Sequence, residues 1–336
     1  MKRKLLSLLL CTAMVGTMLI GCGKKEDTPN VPNETTTENS AKAGAEDTIK
    51  IALVTKMVDS TYWQTVLRAA QERAGKLGNV EVTHLGPPTE ADIDKQVQII
   101  ETAINDDYDG IILAACDKDA LVDPVQKAKD AGIPVVMIDS GISEEIYDAY
   151  LATNNVQAGA EAAKLMVELI GGEGEIAIVN FAAGTQTAVD RETGFTEEIT
   201  NNHPNVKIVG VQYSDSDPTK AANQATDFMS ANPELKGIWG ANDQSAVGVA
   251  QAVKEQGKDI IVLGFDNSDD IKAGLADGSI KGTAVQMPTV MGAEGVQLIV
   301  DILGGKAPAE KEVDTGVTMI TSENYLEEDM QKILNQ

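Results

Sequence analysis

From Thr48 onward, short apolar segments alternate with segments whose apolar residues recur at helical spacing. The apolar segments show no regular alternation with polar residues, which is typical of strands buried on both faces. They predict ten strands: IKIALVT, VEVTHLG, GIILAA, IPVVMI, AYLAT, EIAIVN, VKIVGVQ, GIWGA, IIVLGF and KGTAVQM. The segments between them, for example ADIDKQVQIIETAIND, predict amphipathic helices. This alternation predicts an α/β architecture in which helices cover parallel sheets.

Two segments of equal length share one internal pattern. Residues 110–139 and residues 237–266 each contain a strand, an acidic turn, a helix, a glycine and a second strand, and each segment ends on an aspartate. We interpret them as equivalent βαβ units in two similar lobes. Open α/β sheets bind ligands at the carboxyl ends of their strands, so both final aspartates are expected at the ligand-binding edge.

The first 47 residues differ from the rest of the chain. The basic MKRK precedes the apolar LLSLLLCTAMVGTMLIG, and LIGC resembles the lipobox of bacterial lipoproteins. We expect residues 1–21 to be a lipoprotein signal peptide, with Cys22 as the lipidated residue; an uncleaved membrane anchor is the alternative. The polar residues 22–47 predict a disordered tether. The protein is therefore expected outside the cytoplasm, anchored to the outer face of the cell membrane or periplasmic, with Cys116 as its only thiol.

Composition and motifs limit the possible functions. The formal net charge of −25 argues against a nucleic-acid partner and against binding to anionic membrane surfaces. The only two histidines, His84 and His203, lie in no catalytic pattern, and the chain has neither a nucleophile elbow nor a phosphate-binding loop nor Cys/His metal spacing. The sequence therefore predicts a protein that is not an enzyme and that uses no cofactor and no metal.

Polar residues follow several of the predicted strands. Asp117 and Asp243 fit best as caps of the helices that follow them. An aromatic pair, Tyr62 and Trp63, opens the helix after the first strand, and Trp63 also lies on the apolar stripe of that helix. Carboxylates and amides bind hydroxyl groups, and aromatic faces cover the C–H side of a sugar ring, so these residues together predict a polyol site. Its strand-end members are Lys56, Asp117, Asp139, Asn154, Asn242, Asp266 and Gln286.

Nearly the whole chain after Thr48 resembles the ribose-type (type I) periplasmic sugar-binding proteins of ABC importers. The resemblance rests on the order of the motifs IALVTKMVDSTYW, GIILAACDKDALVDPV, GIPVVMIDS, ATNNVQAGAEAA, RETGF, GANDQSAVG, VLGFD, VQMP and VDTGVTMIT. It implies two Rossmann-like lobes that close on a ligand, with crossovers near Asn154, Gln286 and Asp314. The N-terminal lobe would contain residues 48–154 and 287–313, and the C-terminal lobe residues 155–286 and 314–336.

The resemblance also assigns roles to individual residues. Tyr62 and Trp63 would sandwich the sugar ring, and Arg191 matches a family arginine that reaches the cleft. Ser140 stands where ribose binders carry an arginine. Lys56 resembles a lysine found in receptors for the furanosyl autoinducer-2. We include both residues among the candidate ligand residues. A cleft phenylalanine of the family is replaced near Ser216. The residues that would bind sugar hydroxyls are Ser60, Asp139, Asn242, Asp266 and Gln286.

The sequence therefore predicts a monomeric, lipid-anchored solute-binding protein that captures a small sugar or polyol and delivers it to an ABC permease. Two alternatives stay open at this point. The ligand could be autoinducer-2, or the protein could be a sugar receptor that feeds a membrane sensor kinase.

Overall fold

The computed structural model describes residues 48–336. The predicted signal peptide, the predicted tether and Cys22 lie outside the described residues. The strands are β1 Ile49–Val54, β2 Val80–Leu85, β3 Gly110–Leu113, β4 Val135–Ile138, β5 Ala149–Ala152, β6 Gly174–Asn180, β7 Val206–Tyr213, β8 Leu235–Gly240, β9 Ile261–Phe265, β10 Gly282–Val285, β11 Glu312–Asp314 and β12 Thr318–Thr321. Each of the ten predicted strand segments overlaps one of the first ten strands.

Helices occupy most of the segments between the strands. They are α1 Thr61–Leu77, α2 Ile93–Asn105, α3 Val122–Asp130, α4 Asn155–Leu169, α5 Gln186–Asn202, α6 Pro218–Ala231, α7 Asp243–Gln256, α8 Asp269–Asp277, α9 Pro288–Leu303 and α10 Glu328–Leu334. In the part of the chain that the structure describes, no helix combines the length and the apolar character that crossing a membrane requires.

The strands form two six-stranded sheets, each in its own α/β lobe, which confirms the predicted fold class. The first sheet has the order β11-β5-β4-β3-β1-β2, and all its neighbours are parallel. The second has the order β12-β10-β9-β8-β6-β7 and is parallel except for the antiparallel pair β10–β12. The sequence did not predict β11 and β12, because both are edge strands whose partly exposed residues form no apolar run.

The central strands of both sheets are buried on both faces, as their apolar sequences require. In β1, Ile51 and Leu53 belong to one apolar cluster, whereas Ala52 and Val54 belong to another. Successive side chains of a strand point to opposite faces, so the two clusters lie on the two sides of the first sheet. The second sheet divides the side chains of β6 between two clusters in the same way. These four cores hold the strand ends in fixed positions.

The chain passes between the two sheets three times. It leaves the first sheet after β5, returns through residues 286–287 between β10 and α9, and crosses again between β11 and β12. The lobes also touch directly, because the Thr185 hydroxyl donates a hydrogen bond to the Cys116 carbonyl (2.6 Å) and the Lys118 amide donates to the Gly184 carbonyl (3.0 Å). The structure therefore shows the two lobes closed against each other.

Candidate functional site

A cavity lies between the lobes, at the carboxyl ends of both sets of parallel strands. Its empty volume is about 400 Å³, including the part open to solvent. The first lobe lines it with Lys56, Met57, Ser60, Tyr62, Trp63, Glu90 and Asp139. The second lobe contributes Phe181, Arg191, Asn242, Asp243, Gln244 and Asp266, and Gln286 lies where the chain crosses between lobes. Of the ten predicted ligand residues, only Ser140 is absent from the lining.

A buried ion pair occupies the first-lobe side of the cavity. The Lys56 ammonium lies 3.0 Å from Asp139 Oδ1 and donates to the Ser140 hydroxyl at 3.1 Å. Burial disfavours both charges, but each charge stabilises the other. As a result the pKa of Lys56 is raised and that of Asp139 is lowered, the latter with help from Arg191. Ser140 is fully buried and supports this pair from behind, which is why it does not reach the cavity.

Tyr62 and Trp63 form a corner of the cavity wall. Their ring centroids are 4.8 Å apart and the ring planes meet at 89°. Edge-to-face packing leaves no room for a sugar ring between them, so the expected sandwich of these two residues is wrong. The Tyr62 hydroxyl donates to Asp139 Oδ2 at 3.0 Å, and Trp63 is buried within the first-lobe core. The two rings can cover a ligand only as adjoining walls.

Phe181 supplies an aromatic ring from the second lobe. It directly follows β6 and is buried, and its centroid lies 5.2 Å from the Lys56 ammonium. That ammonium is also 5.5 Å from the Trp63 ring, so Lys56 lies near an aromatic ring of each lobe. Sequence reasoning missed Phe181, although its position directly after a strand is the signal that selected the other candidates.

The second-lobe carboxylate, Asp266, retains free hydrogen-bonding capacity. Its Oδ1 accepts from Gln286 Nε2 at 2.8 Å, and among the described residues its Oδ2 has no hydrogen-bond partner. Burial raises the pKa of Asp266, although Arg191 and the Gln286 hydrogen bond lower it in part. The Gln286 Oε1 atom is buried without a partner as well. Two acceptors at the second-lobe side are therefore unfilled within residues 48–336.

Arg191 is held in place by three contacts. Its Nε donates to Asn155 Oδ1 at 2.9 Å, its Nη1 donates to the Ala241 carbonyl at 2.8 Å, and its Cζ lies 3.5 Å from the centre of the Phe265 ring. Nη2 is the one guanidinium nitrogen without a partner in the described part of the chain. The guanidinium thus offers a donor whose direction is fixed in advance.

Asn242 and Asp243 both line the cavity, but Asn242 and not Asp243 caps α7. Asn242 is the N-cap of α7, because its Oδ1 accepts from the Ser245 amide at 3.0 Å. Asp243 is the first helical residue, so the prediction that it caps α7 is wrong. Instead its Oδ1 accepts from the Ser268 hydroxyl at 2.6 Å, and its side chain lines the cavity. Burial raises the pKa of Asp243 to about 7.

Three further candidate residues, Asp117, Asn154 and Ser60, differ in their hydrogen bonds. Asp117 accepts from the amides of Asp119 and Ala120, so it stabilises the turn before α3 rather than capping that helix, which begins at Val122. Asn154 caps α4 by accepting from the Gln157 amide and does not line the cavity. Ser60 is the N-cap of α1 but makes no capping hydrogen bond with its side chain, so its hydroxyl remains available at the cavity.

Two aspartates that line the cavity have an unusual backbone conformation. Asp139 and Asp266, the last residues of the two repeated units, have φ values of 57° and 68°. Non-glycine residues rarely adopt this left-handed conformation, and strained residues cluster at functional sites. Both carboxylates line the cavity between the lobes.

Comparison with known proteins identifies the architecture. Residues 51–307 match the family model of the periplasmic binding protein domain. The chain is 34% identical over 293 residues to the D-allose-binding periplasmic protein of Escherichia coli, covering 82% of this chain and 92% of that protein.

Two crystal structures superpose on the protein with a TM-score of 0.82 each. One is an ABC transporter solute-binding protein from Agrobacterium vitis with bound D-fucose, 40% identical, covering 85% of this chain and 99% of that one. The other is a carbohydrate transporter solute-binding protein from Agrobacterium radiobacter in complex with D-arabinose, 31% identical, covering 86% and 99%. The chain therefore belongs to the periplasmic binding protein family, with the type I fold of the solute-binding proteins of ABC transporters, and it is a binding protein rather than an enzyme.

Proposed function

We propose that the protein captures a small neutral monosaccharide in the cavity between its lobes and delivers it to an ABC importer. The observation that carries this proposal is the combination of aromatic walls with fixed polar atoms that have no protein partner. In the described chain, Gln286 Oε1 is an acceptor that is buried without a partner, and Asp266 Oδ2 and Arg191 Nη2 also have no hydrogen-bond partner. A buried polar group without a partner is costly, so a ligand rich in hydroxyl groups would stabilise this arrangement.

The aromatic rings fit the same class of ligand. Monosaccharides present C–H groups on their faces and hydroxyl groups around their edges. Tyr62, Trp63 and Phe181 can cover the faces, while the second-lobe acceptors bind the edge. The relatives support this assignment, since D-allose, D-fucose and D-arabinose are all neutral monosaccharides.

A thermal-shift screen tests the ligand class directly. D-Allose, D-ribose, D-fucose and D-arabinose are compared with maltose and D-glucuronate, which control for size and for charge. A ligand at one hundred times its Kd should stabilise the protein by about 2.7 kcal/mol. If no monosaccharide raises the melting temperature at millimolar concentration, the protein does not bind sugars of this class.

Tryptophan fluorescence provides an independent signal of binding. Trp63 lines the cavity, whereas Trp239 is fully buried in the second lobe and stacks on Phe195 with centroids 4.5 Å apart. A sugar should therefore perturb Trp63 and leave Trp239 as a constant background. A Trp239→Phe variant that retains the signal would assign the change to Trp63.

We further propose that the lobes of residues 48–154 with 287–313 and of residues 155–286 with 314–336 open and close around the sugar. The ligand would make its contacts to both lobes only in the closed form and would shift the population toward it. Small-angle scattering should then give a smaller radius of gyration at saturating sugar. An unchanged radius at saturation counts against closure by a hinge.

The membrane anchor is a separate part of the proposal. It rests on the lipobox sequence that ends at Cys22, which precedes the polar residues 23–47. Cys22→Ala should abolish incorporation of radiolabelled palmitate, whereas Cys11→Ala, within the signal peptide, should retain it. Full labelling of the Cys22→Ala variant would show that the anchor lies elsewhere.

A further inference from the structure

The loop between β7 and α6 contains two consecutive strained residues. Asp215 and Ser216 have φ values of 55° and 56°. Neither is a glycine, so both occupy a backbone conformation that their side chains disfavour. The loop lies in the second lobe and faces the first lobe at the edge of the cavity. Such a conformation persists only where surrounding contacts hold it in place.

Hydrogen bonds of Ser216 provide these contacts. Its hydroxyl donates to Glu90 Oε2 at 2.8 Å and accepts from Asn242 Nδ2 at 2.9 Å. Glu90 belongs to the segment between β2 and α2 of the first lobe and is 8% exposed. The chain of hydrogen bonds therefore runs from one lobe to the other, and it breaks when the lobes separate.

The far end of this chain is a residue of the cavity wall. Asn242 caps α7 through its Oδ1 and binds Ser216 through its Nδ2, so both ends of its amide are held by protein atoms. Its orientation toward the cavity depends on Ser216, and Ser216 in turn depends on Glu90.

We propose that Glu90 and Ser216 form a latch that holds the lobes closed and positions Asn242 at the bound sugar. This inference rests on the proposed function, because a sugar reports on the latch most directly. Glu90 is here a positioning residue of the site. Its Oε1 has no partner within residues 48–336, so direct contact between Glu90 and the sugar is the competing explanation.

A double-mutant cycle separates these explanations. Glu90→Ala, Ser216→Gly and the double variant are compared by calorimetry with whichever of D-allose, D-fucose and D-arabinose binds the wild type most tightly. Glycine removes the hydroxyl but accepts the positive φ without strain. Asp94→Ala, an exposed acid in the first turn of α2, and Asp215→Gly, at the neighbouring positive φ, are the matched controls.

For a latch, each single variant should weaken binding about ten-fold, mainly through faster dissociation, because a hydrogen bond to a charged group is lost. The double variant should also lose about ten-fold, since both substitutions remove the same bond. If the loss of affinity in the double variant equals the product of the two single losses, Glu90 and Ser216 act separately. If Ser216→Gly binds the sugar with wild-type affinity, the bond between Ser216 and Glu90 does not hold the lobes closed. Either outcome overturns the latch.

A distance measurement tests the latch without relying on the sugar. Spin labels at Lys95→Cys on α2 and Asp227→Cys on α6 report the separation of the lobes in a full chain that carries Cys11→Ser and Cys22→Ser. Cys116 is buried, and burial raises the pKa of its thiol, so it should not compete for the label. Glu90→Ala and Ser216→Gly should shift the ligand-free distances to longer values, and identical distributions would contradict the latch. If the wild type binds no sugar, the proposed function fails, and this measurement still decides the latch.

Discussion

The two lobes present chemically different walls to the same cavity, although each contributes an aspartate from the end of an equivalent βαβ unit. Asp139 in the first lobe has both oxygens engaged, Oδ1 by Lys56 and Ser140 and Oδ2 by Tyr62. Asp266 in the second lobe has only Oδ1 engaged, by Gln286. The first carboxylate therefore organises its own lobe, and the second keeps an acceptor for the ligand.

The electrostatics of the two carboxylates follow from this difference. Burial raises the pKa of both, but Lys56 and Arg191 reverse the shift at Asp139, whereas the shift at Asp266 remains upward. Equal positions in a repeat thus do not give equal roles, because the neighbours decide how each carboxylate is used. The predictions below test this contrast between an organising carboxylate and a ligand-facing one.

The largest expected effect is on stability and concerns Lys56. Lys56→Met leaves the buried Asp139 carboxylate without its counter-charge, which should lower the free energy of unfolding by about 3–5 kcal/mol. Lys220→Met, which breaks an exposed ion pair with Asp215, is the control and should cost no more than about 1 kcal/mol. Denaturant titrations measure both.

The pH dependence of the Lys56 variant provides a second check. The pKa of Asp139 is lowered in the folded wild type, so its stabilising effect is present at neutral pH and is lost as pH falls below the ordinary range of an aspartate. The deficit of Lys56→Met should therefore shrink in acid. A variant as stable as the wild type at pH 7 would refute an organising role for the pair.

The next effect is on affinity and concerns Asp266. Asp266→Ala removes a charged acceptor, whose hydrogen bonds contribute about 1.5–3 kcal/mol, so sugar affinity should fall roughly ten- to hundred-fold. The stability of the ligand-free protein should not fall. The pKa of Asp266 is raised in the folded protein, so ionisation of this group lowers the free energy of unfolding as pH rises through that pKa. Asp266→Ala removes the carboxyl group and therefore removes this decrease in stability at neutral pH.

Asp139→Ala is the matched variant in the first lobe. It leaves the buried Lys56 ammonium without its counter-charge, so we expect this variant to be less stable than the wild type, whereas Asp266→Ala should not be. Calorimetry and denaturation on both variants decide the contrast. Unchanged affinity in a folded Asp266→Ala variant would remove Asp266 from the site and, with it, the difference between the lobes.

Much of this architecture was predictable from the sequence, and the reason is physical. A strand that is buried on both faces has a continuous apolar sequence, so the first ten strands and the α/β class follow from the local pattern. The βαβ repeat placed Asp139 and Asp266 at the strand ends of two lobes. β11 and β12 were missed because they lie at the sheet edges, where their partly exposed residues show no apolar run.

The details of the site depend on three-dimensional neighbours. The sequence placed Lys56, Asp139 and Ser140 together only as ligand residues, and it did not show that they bind one another. It could not show which of Asn242 and Asp243 caps α7, or that both line the cavity, since adjacent polar residues before a helix look alike. Glu90 follows two prolines in an irregular segment, and no periodic signal marks it as buried.

A separate effect is expected in the pH dependence of stability and concerns Asp243. Burial raises the pKa of this carboxyl group to about 7 in the folded protein. The free energy of unfolding should therefore decrease as pH rises from about 4 to about 7, since the unfolded chain ionises first. Asp243→Asn should flatten the stability profile in that window, whereas the exposed Asp227→Asn on α6 should retain it. Identical profiles for the wild type and Asp243→Asn would show that the second-lobe side tolerates this charge without penalty.

The smallest effect is expected for Tyr62→Phe, which makes the first-lobe carboxylate resemble the second. The substitution keeps the ring that meets Trp63 edge to face but removes the hydroxyl that donates to Asp139 Oδ2. One hydrogen bond is lost from a carboxylate that keeps Lys56 and Ser140, so the free energy of unfolding should fall by about 1.5 kcal/mol, the low end for a hydrogen bond to a charged group. Sugar affinity should change less than in Asp266→Ala, because the aromatic wall remains and the freed Oδ2 becomes an additional acceptor. Denaturation and calorimetry on this variant measure both quantities. An affinity loss as large as that of Asp266→Ala would mean that the Tyr62 hydroxyl binds the sugar itself, and the first lobe would then be as directly engaged with the ligand as the second.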